Sequence, residues 1–248
     1  MTHSAKSVGR QRIDELLVER GLAGSREKAR ALVLSGAVLV DGRKIDKAGH
    51  SVSIEARVQV TARSPYVSRG GVKLAHALDY FRIDVEDRVC LDIGASTGGF
   101  TDCLLQAGAK RVYAVDTGAG QIDWRLRNDP RVVLRERLNA RYLEPSHIGE
   151  PVDLAVCDVS FISVTLVLPR IVPLLRETGE MVILVKPQFE VGRGNVGKGG
   201  VVRDPELHRS ACNRVQEAVQ AMGLSAALTE SPITGAEGNR EFLLHALR

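Results

Sequence analysis

Four charged residues far apart in the chain, Lys73, Asp158, Lys186 and Glu241, each stand at the end of an expected helix or strand. Lys73 follows Ser68-Arg69-Gly70-Gly71-Val72 at the start of a helical pattern. Asp158 ends the run Val156-Cys157-Asp158, Lys186 ends Leu184-Val185-Lys186, and Glu241 opens the last strand after the Gly238-Asn239-Arg240 turn. A charge closing an apolar strand faces the ligand end of an open α/β sheet. Brought together, two amines and two carboxylates suit the removal of a proton from a weakly acidic hydroxyl. One amine, desolvated and beside a second ammonium, is neutral often enough to take it. Lys186 is the expected base, because Pro187 fixes the chain direction after it. Asp158 would orient Lys186 and stabilise its protonated form, Lys73 would stabilise oxyanion charge, and Glu241 would hold Lys73 or the acceptor. The competing reading is two surface ion pairs that never meet.

Convergence needs a particular frame. Apolar runs at 88–94, 111–116, 132–138, 152–159 and 181–186 alternate with helical patterns, which predicts a parallel sheet with helices on both faces. Residues 224–229 and 241–247 are separated only by a loop too short for a crossover helix, so they should pair antiparallel. The expected fold is α/β, a Rossmann-like sheet, mostly parallel with an antiparallel last strand. That finish resembles S-adenosylmethionine-dependent methyltransferases more than an ordinary dinucleotide-binding sheet.

The segment Leu91-Asp92-Ile93-Gly94-Ala95-Ser96-Thr97-Gly98-Gly99-Phe100 leaves the first of these strands and enters a helix, where open α/β sheets bind ligands. Its glycines let backbone approach a ligand closely, and the spacing is not the G-x-G-x-x-G of a pyrophosphate cradle. Asp92 could accept from a cofactor ammonium group. Asp116, ending the second strand, could accept from both hydroxyls of a ribose, and Asn139 after the third could meet an adenine edge. Strand-end Asp and Asn often merely cap helices, but three in succession favour a nucleoside cofactor. The expected contacts are Asp92, Gly94, Ser96, Gly98, Gly99, Phe100, Asp116, Asn139 and Asp158, with no metal. A methyl group on a sulfonium is already activated, so an enzyme using one must mainly align the reactants and remove a proton. Residues 190–203 hold five glycines and three cations after Lys186, a candidate flap over substrate phosphate.

The formal charge of +4 is local: residues 1–63 hold 12 Lys/Arg against 7 Asp/Glu, and the remainder 22 against 23. Such clustering suits a polyanion partner. Residues 10–62 read as a helix-helix-hairpin module: an amphipathic helix with Ile13, Leu16 and Leu17, a second helix capped by Ser25, then Val38 to Val40, the Asp41-Gly42 turn and a ribbon with Val52, Ile54, Val58 and Val60. It resembles the RNA-binding module of a small-subunit ribosomal protein, pseudouridine synthases and tyrosyl-tRNA synthetases. Arg10, Arg12, Arg26, Lys28, Arg30, Arg43 and Lys44 are its expected RNA contacts, joined by Arg69, Arg193 and Lys198 downstream. Residues 63–68 read as a linker and 69–248 as the catalytic domain. Cys90, Cys103, Cys157 and Cys212 form no C-x-x-C pair and read as reduced core residues of a cytoplasmic protein. No apolar stretch reaches the roughly 20 residues of a membrane span.

Together these motifs resemble the TlyA family of ribosomal-RNA 2′-O-methyltransferases, within the FtsJ-like group. Ser68-Arg69-Gly70 before Lys73, Gly94 to Phe100, Asp158-x-Ser160-Phe161-Ile162-Ser163, Lys186-Pro187-Gln188-Phe189-Glu190 and Gly199-Gly200-Val201-Val202 carry the likeness. The resemblance implies a Lys-Asp-Lys-Glu tetrad on the four positions above, S-adenosylmethionine as donor and a cytidine ribose in ribosomal RNA as acceptor. It also implies ribosomal subunits as partners, with no membrane, and a protein that is monomeric or weakly self-associating. Members modifying both subunits tend to carry terminal extensions, so the expectation favours the large subunit. The hemolysin label some members bear finds little support in this sequence. A non-catalytic ribosome assembly factor and a nicotinamide-dependent dehydrogenase are the other readings.

Overall fold

The computed structural model describes residues 9–34, 36–45, 47–60, 65–235 and 237–248, except the side chain of Arg193. The chain forms two compact units, Met1–Arg63 and Ser64–Arg248. Residues 63 and 64 of the expected linker lie outside the described residues.

In the first unit, β1 (Arg10–Arg12) leads into α1 (Ile13–Glu19), and α2 (Arg26–Leu34) follows a glycine-bearing turn. Ser25 Oγ accepts from the Lys28 amide at 3.2 Å, a helix N-cap. Ile13, Leu16, Leu17, Ala29 and Val33 bury one face of the helix pair against Val38, Val40 and Val52. The expected single ribbon is two small sheets. β2 (Val38–Val40) pairs antiparallel with β3 (Arg43–Lys44) and β5 (Val58–Val60), whereas β4 (Ser51–Ser53) pairs with β1. Ile54 therefore falls in the turn between β4 and β5 and is exposed rather than strand-borne.

The second unit opens with α3 (Arg69–Phe81), capped by Ser68, whose Oγ accepts from the Gly70 amide, and stopped by Arg82 in the left-handed region. Leu74, Ala77 and Leu78 form its buried stripe. A seven-stranded sheet follows, in spatial order β11-β12-β10-β9-β6-β7-β8. β6 (Val89–Ile93), β7 (Arg111–Val115), β8 (Val132–Arg135), β9 (Val152–Cys157) and β10 (Leu175–Val185) are parallel. β12 (Phe242–Leu247) lies antiparallel between β10 and β11 (Ser225–Glu230). α4 (Gly99–Gln106) follows β6, and α5 (Pro205–Ala221) follows β10 through the glycine-rich segment. β10 begins six residues before the expected run, with irregular register between Leu175 and Glu180, because charged Arg176 and Glu177 mask its start. Both sheet faces are buried under apolar side chains. The four cysteines are buried and free. Burial pushes the thiols of Cys90, Cys103 and Cys212 up to about 12 and that of Cys157 higher still, so they are packing groups rather than nucleophiles. No described helix is long and apolar enough to cross a membrane.

Candidate active site

Strand register sets where the four charged residues stand. Ile93 is opposite Cys157, and Cys157 opposite Ile183, so β6, β9 and β10 deliver Gly94, Asp158 and Lys186 to one sheet edge. Because β12 runs the other way, Phe242 pairs with Val185 and Glu241 enters at that same edge. The Asp158 amide donates to Ile93 O at 2.9 Å, locking the first turn of the two loops together. Gly94 has φ +86°, and a Cβ there would lie 2.3 Å from the Asp158 carbonyl oxygen, so only glycine lets the loops approach this closely.

The two lysines are buried and each has a carboxylate. Lys73 Nζ, 7% exposed, donates to Glu241 Oε2, itself 3% exposed. Lys186 Nζ, 9% exposed, lies 2.5 Å from Asp158 Oδ1 and donates to Ser160 Oγ at 2.8 Å. Lys73 and Asp158 line one cavity of about 120 Å³ together with Gly94, Ser96, Gly99 and Phe100. Asp158 also lines a larger cavity of about 310 Å³. Lys73, Glu241 and Lys186 are thus buried and the Asp158 side chain is 22% exposed; Lys73 and Asp158 line these cavities, whereas Lys186 and Glu241 stand behind them.

The larger cavity has the makings of a nucleoside site. Asp116 accepts from the Ser96 amide at 2.8 Å through Oδ2 and from the Gly118 amide at 2.6 Å through Oδ1, which fixes its carboxylate at the rim. Asn139 also lines it and caps a short helical turn by accepting from the Arg141 amide. Val115, Leu138, Ile162 and Val167 supply apolar walls. Asp92 stands apart: it is fully buried, lines neither cavity, and its Oδ2 accepts from Thr101 Oγ1 at 2.6 Å, tying β6 to α4. Burial, opposed by the Thr101 bond, raises its carboxyl to about 7. Gly98, with φ +94°, lines neither cavity, and a Cβ there would press on Leu126, so it shapes the loop from behind.

Matching a family model for FtsJ-like methyltransferases over residues 66–248, the second unit carries a known architecture. An S4 domain model matches residues 11–58. The 16S/23S rRNA (cytidine-2′-O)-methyltransferase TlyA of Mycobacterium tuberculosis is 49% identical, over 95% of this chain and 89% of that one. The chain belongs to the TlyA family of FtsJ-like methyltransferases. Hemolysin A of Brachyspira hyodysenteriae is 44% identical over 94% of this chain and 98% of its own length. A solved structure from Streptococcus thermophilus, described as a hemolysin, superposes with a TM-score of 0.75 at 43% identity, covering 98% of this chain and 90% of that one. The fold is thus the methyltransferase α/β sheet with an antiparallel last strand and an S4 unit before it.

The expected RNA contacts of the S4 unit are not equivalent. Arg12, Arg26 and Arg30 converge on Asp14, which is fully buried: Arg12 NH2 is 2.9 Å away, Arg26 Nε 3.4 Å and Arg30 Nε 3.5 Å. Hydrogen bonding from Arg12 leads the causes that hold the Asp14 carboxyl down at about 2, against its desolvation. Arg10 bonds Ser51 in the neighbouring strand. Lys28, Arg43 and Lys44 are exposed and form no ion pair with a described residue. In the catalytic unit Arg69 donates to Thr234 O at 2.9 Å and Lys198 is exposed, whereas the side chain of Arg193 lies outside the described residues. Sequence reasoning passed over Asp14, and it named Ser160 and Glu190 only within the motifs that carry the family likeness, with no role for either. The two-residue spacing of Ser160 from Asp158 placed both on one loop.

Proposed function

We propose that this chain transfers a methyl group from S-adenosylmethionine to the ribose 2′-hydroxyl of a cytidine in ribosomal RNA, with Lys186 as the base. The observation that carries this reading is that two buried lysines, each paired with a carboxylate, stand at the sheet edge that borders a nucleoside-sized cavity. S-adenosylmethionine, when bound, supplies an electrophilic methyl group on a sulfonium. The residues present fit it: Asp116 would hold the ribose hydroxyls, Asn139 the adenine edge, Val115 and Leu138 the base faces, and Gly94 and Ser96 the loop backbone. Lys186 takes the acceptor proton, Asp158 orients the amine and stabilises the ammonium, and Glu241 holds Lys73 where its charge faces the developing oxyanion.

Residues 10–62 act as the RNA-binding module, 63–68 as the linker and 69–248 as the methyltransferase domain. Arg69, Arg193 and Lys198 add phosphate contacts, and the enzyme works in the cytoplasm as a monomer or weak self-associate. The test is tritiated methyl transfer to purified small and large ribosomal subunits, with the modified nucleotide mapped. Both subunits belong in it, because the Mycobacterium relative is named for 16S and 23S rRNA. Lys186→Ala should lower turnover by at least about 100-fold, the lower range of general-base contributions, with melting temperature and cofactor binding retained. Undiminished turnover would remove Lys186 as base, and label in protein or lipid instead of RNA would overturn the function.

A further inference from the structure

Two oxygens of one loop hold Lys186, and only one belongs to a carboxylate. Nζ lies 2.5 Å from Asp158 Oδ1 and donates to Ser160 Oγ at 2.8 Å. The far end of that loop is bolted to the helical turn Pro187–Glu190 that starts beside Lys186. Buried Glu190 accepts from the Ser163 hydroxyl at 2.5 Å and from the Val164 amide at 2.8 Å. The rings of Phe161 and Phe189 lie 5.4 Å apart across the same junction. Both ends of the segment 158–164 are thus fixed to the element carrying the lysine, so the position of Ser160 is set by the fold rather than by a free loop.

A neutral amine has two N–H bonds and one lone pair in a tetrahedral array. With a single acceptor, rotation about Cε–Nζ sweeps the lone pair around a cone. A hydrogen bond to Ser160 on one side and the Asp158 carboxylate 2.5 Å away on another restrict that rotation, so the lone pair is confined to a narrow range of directions. We propose that Ser160 is a positioning residue which, by accepting a hydrogen bond from Lys186 beside its ion pair with Asp158, aims the amine lone pair at the hydroxyl to be methylated. This rests on Lys186 being the base. The proton leaves the acceptor oxygen and becomes the third N–H of an ammonium that stays hydrogen-bonded to Ser160 and ion-paired with Asp158. The oxygen keeps the electron pair with which it attacks. No hydrogen bond has to be remade during the transfer, which is the preorganisation that lowers a barrier.

The test compares Ser160→Ala and Ser160→Thr with wild type and Lys186→Ala, measuring kcat and KM on ribosomal subunits, the Kd of S-adenosylmethionine by calorimetry, and melting temperature. Ser160 lines the larger cavity, so the cofactor measurement is needed to separate aiming from binding. Ser160→Ala should lower kcat by roughly 10- to 100-fold, the scale of a misaimed reacting group. KM, cofactor Kd and melting temperature should stay within about threefold or a degree of wild type, and Ser160→Thr, which restores the hydroxyl, should return kcat to within about threefold. A Ser160→Ala kcat within about twofold of wild type, with Lys186→Ala inactive, would sink the role of Ser160 and leave the base standing. Loss that threonine does not rescue, matched by lost cofactor affinity, would also overturn it. An active Lys186→Ala would remove the base assignment and this inference with it.

Discussion

Asp92 turns burial into a measurable pH dependence. Its carboxyl is fully buried beneath the loop that follows β6, accepts a hydrogen bond from Thr101 Oγ1, and among the described residues has no hydrogen-bond partner for Oδ1. Burial raises it from 3.8 to about 7, with Asp158 and Asp116 adding to the rise. An acid whose folded-state value is raised contributes stability that is complete below its unfolded value and is lost as pH climbs through the folded one. At about 1.4 kcal/mol per pH unit, the gap corresponds to roughly 4 kcal/mol as an upper bound. Asp92→Asn keeps the acceptor for Thr101 and the volume, and removes the titration. The difference in unfolding free energy between wild type and Asp92→Asn should therefore drift by about 3 to 4 kcal/mol in favour of the variant between pH 4 and pH 8. In calorimetric melts of a domain this size, that is on the order of 10 °C. Melts of both proteins at half-unit steps provide the curve. Two parallel curves would mean that Asp92 is equally charged in the folded and unfolded chain, and the burial argument would be wrong.

Two further outcomes test the loop and the S4 unit. Gly94→Ala places a Cβ 2.3 Å from the Asp158 carbonyl at φ +86°, and backbone cannot yield as a side-chain tip can. It should cost about 1–2 kcal/mol from the left-handed conformation alone, displace Asp158, and weaken calorimetric binding of S-adenosylmethionine at least tenfold (about 1.4 kcal/mol); wild-type affinity would contradict the close-approach reading. Replacing Lys28, Arg43 and Lys44 with glutamine should weaken ribosomal-RNA binding across sequences and flatten the plot of log K against log salt by up to about three. An unchanged slope would show that these exposed cations do not meet phosphate.

The large elements were readable because their signals are periodic. Each run from Val89 to Val185 shows near-continuous apolar character between turn residues, as strands buried on both faces must, and the short Glu230-to-Arg240 loop demanded antiparallel pairing. β1 was hidden because Arg10-Gln11-Arg12 presents no apolar alternation, and among the described residues it pairs with Ser51–Ser53. Ile54 broke the expected ribbon because alternation cannot reveal that a strand ends and its successor pairs elsewhere. At the site, residue types indicated which groups could meet, but not how they would pair. Glu241 was free in sequence to hold Lys73 or the acceptor, and only the packing of α3 beside β12 assigns it to the lysine. The three arginines drawn to Asp14 were legible as cations and illegible as a cluster, since their meeting depends on how α1 and α2 pack.

The position of Asp158 between two cavities follows from charge. A half-buried carboxylate such as Asp158 is favoured by a nearby cation, yet the proposed base must be neutral before it can accept a proton. With Lys186 neutral and Lys73 engaged by Glu241, Asp158 is the uncompensated charge of the constellation. Because it also lines the larger cavity, a cationic ligand seated there would supply the missing compensation, and the ammonium formed on Lys186 would supply it once that positive charge is lost. Asp158 then remains compensated on both sides of the reaction, which a neutral residue at this position could not use and a carboxylate bordering only the smaller cavity could not reach. A bound sulfonium would thus take over the compensation of Asp158 and favour the neutral base, while Asp158 favours the ammonium formed afterwards, so Asp158→Asn should weaken cofactor binding and turnover together rather than turnover alone.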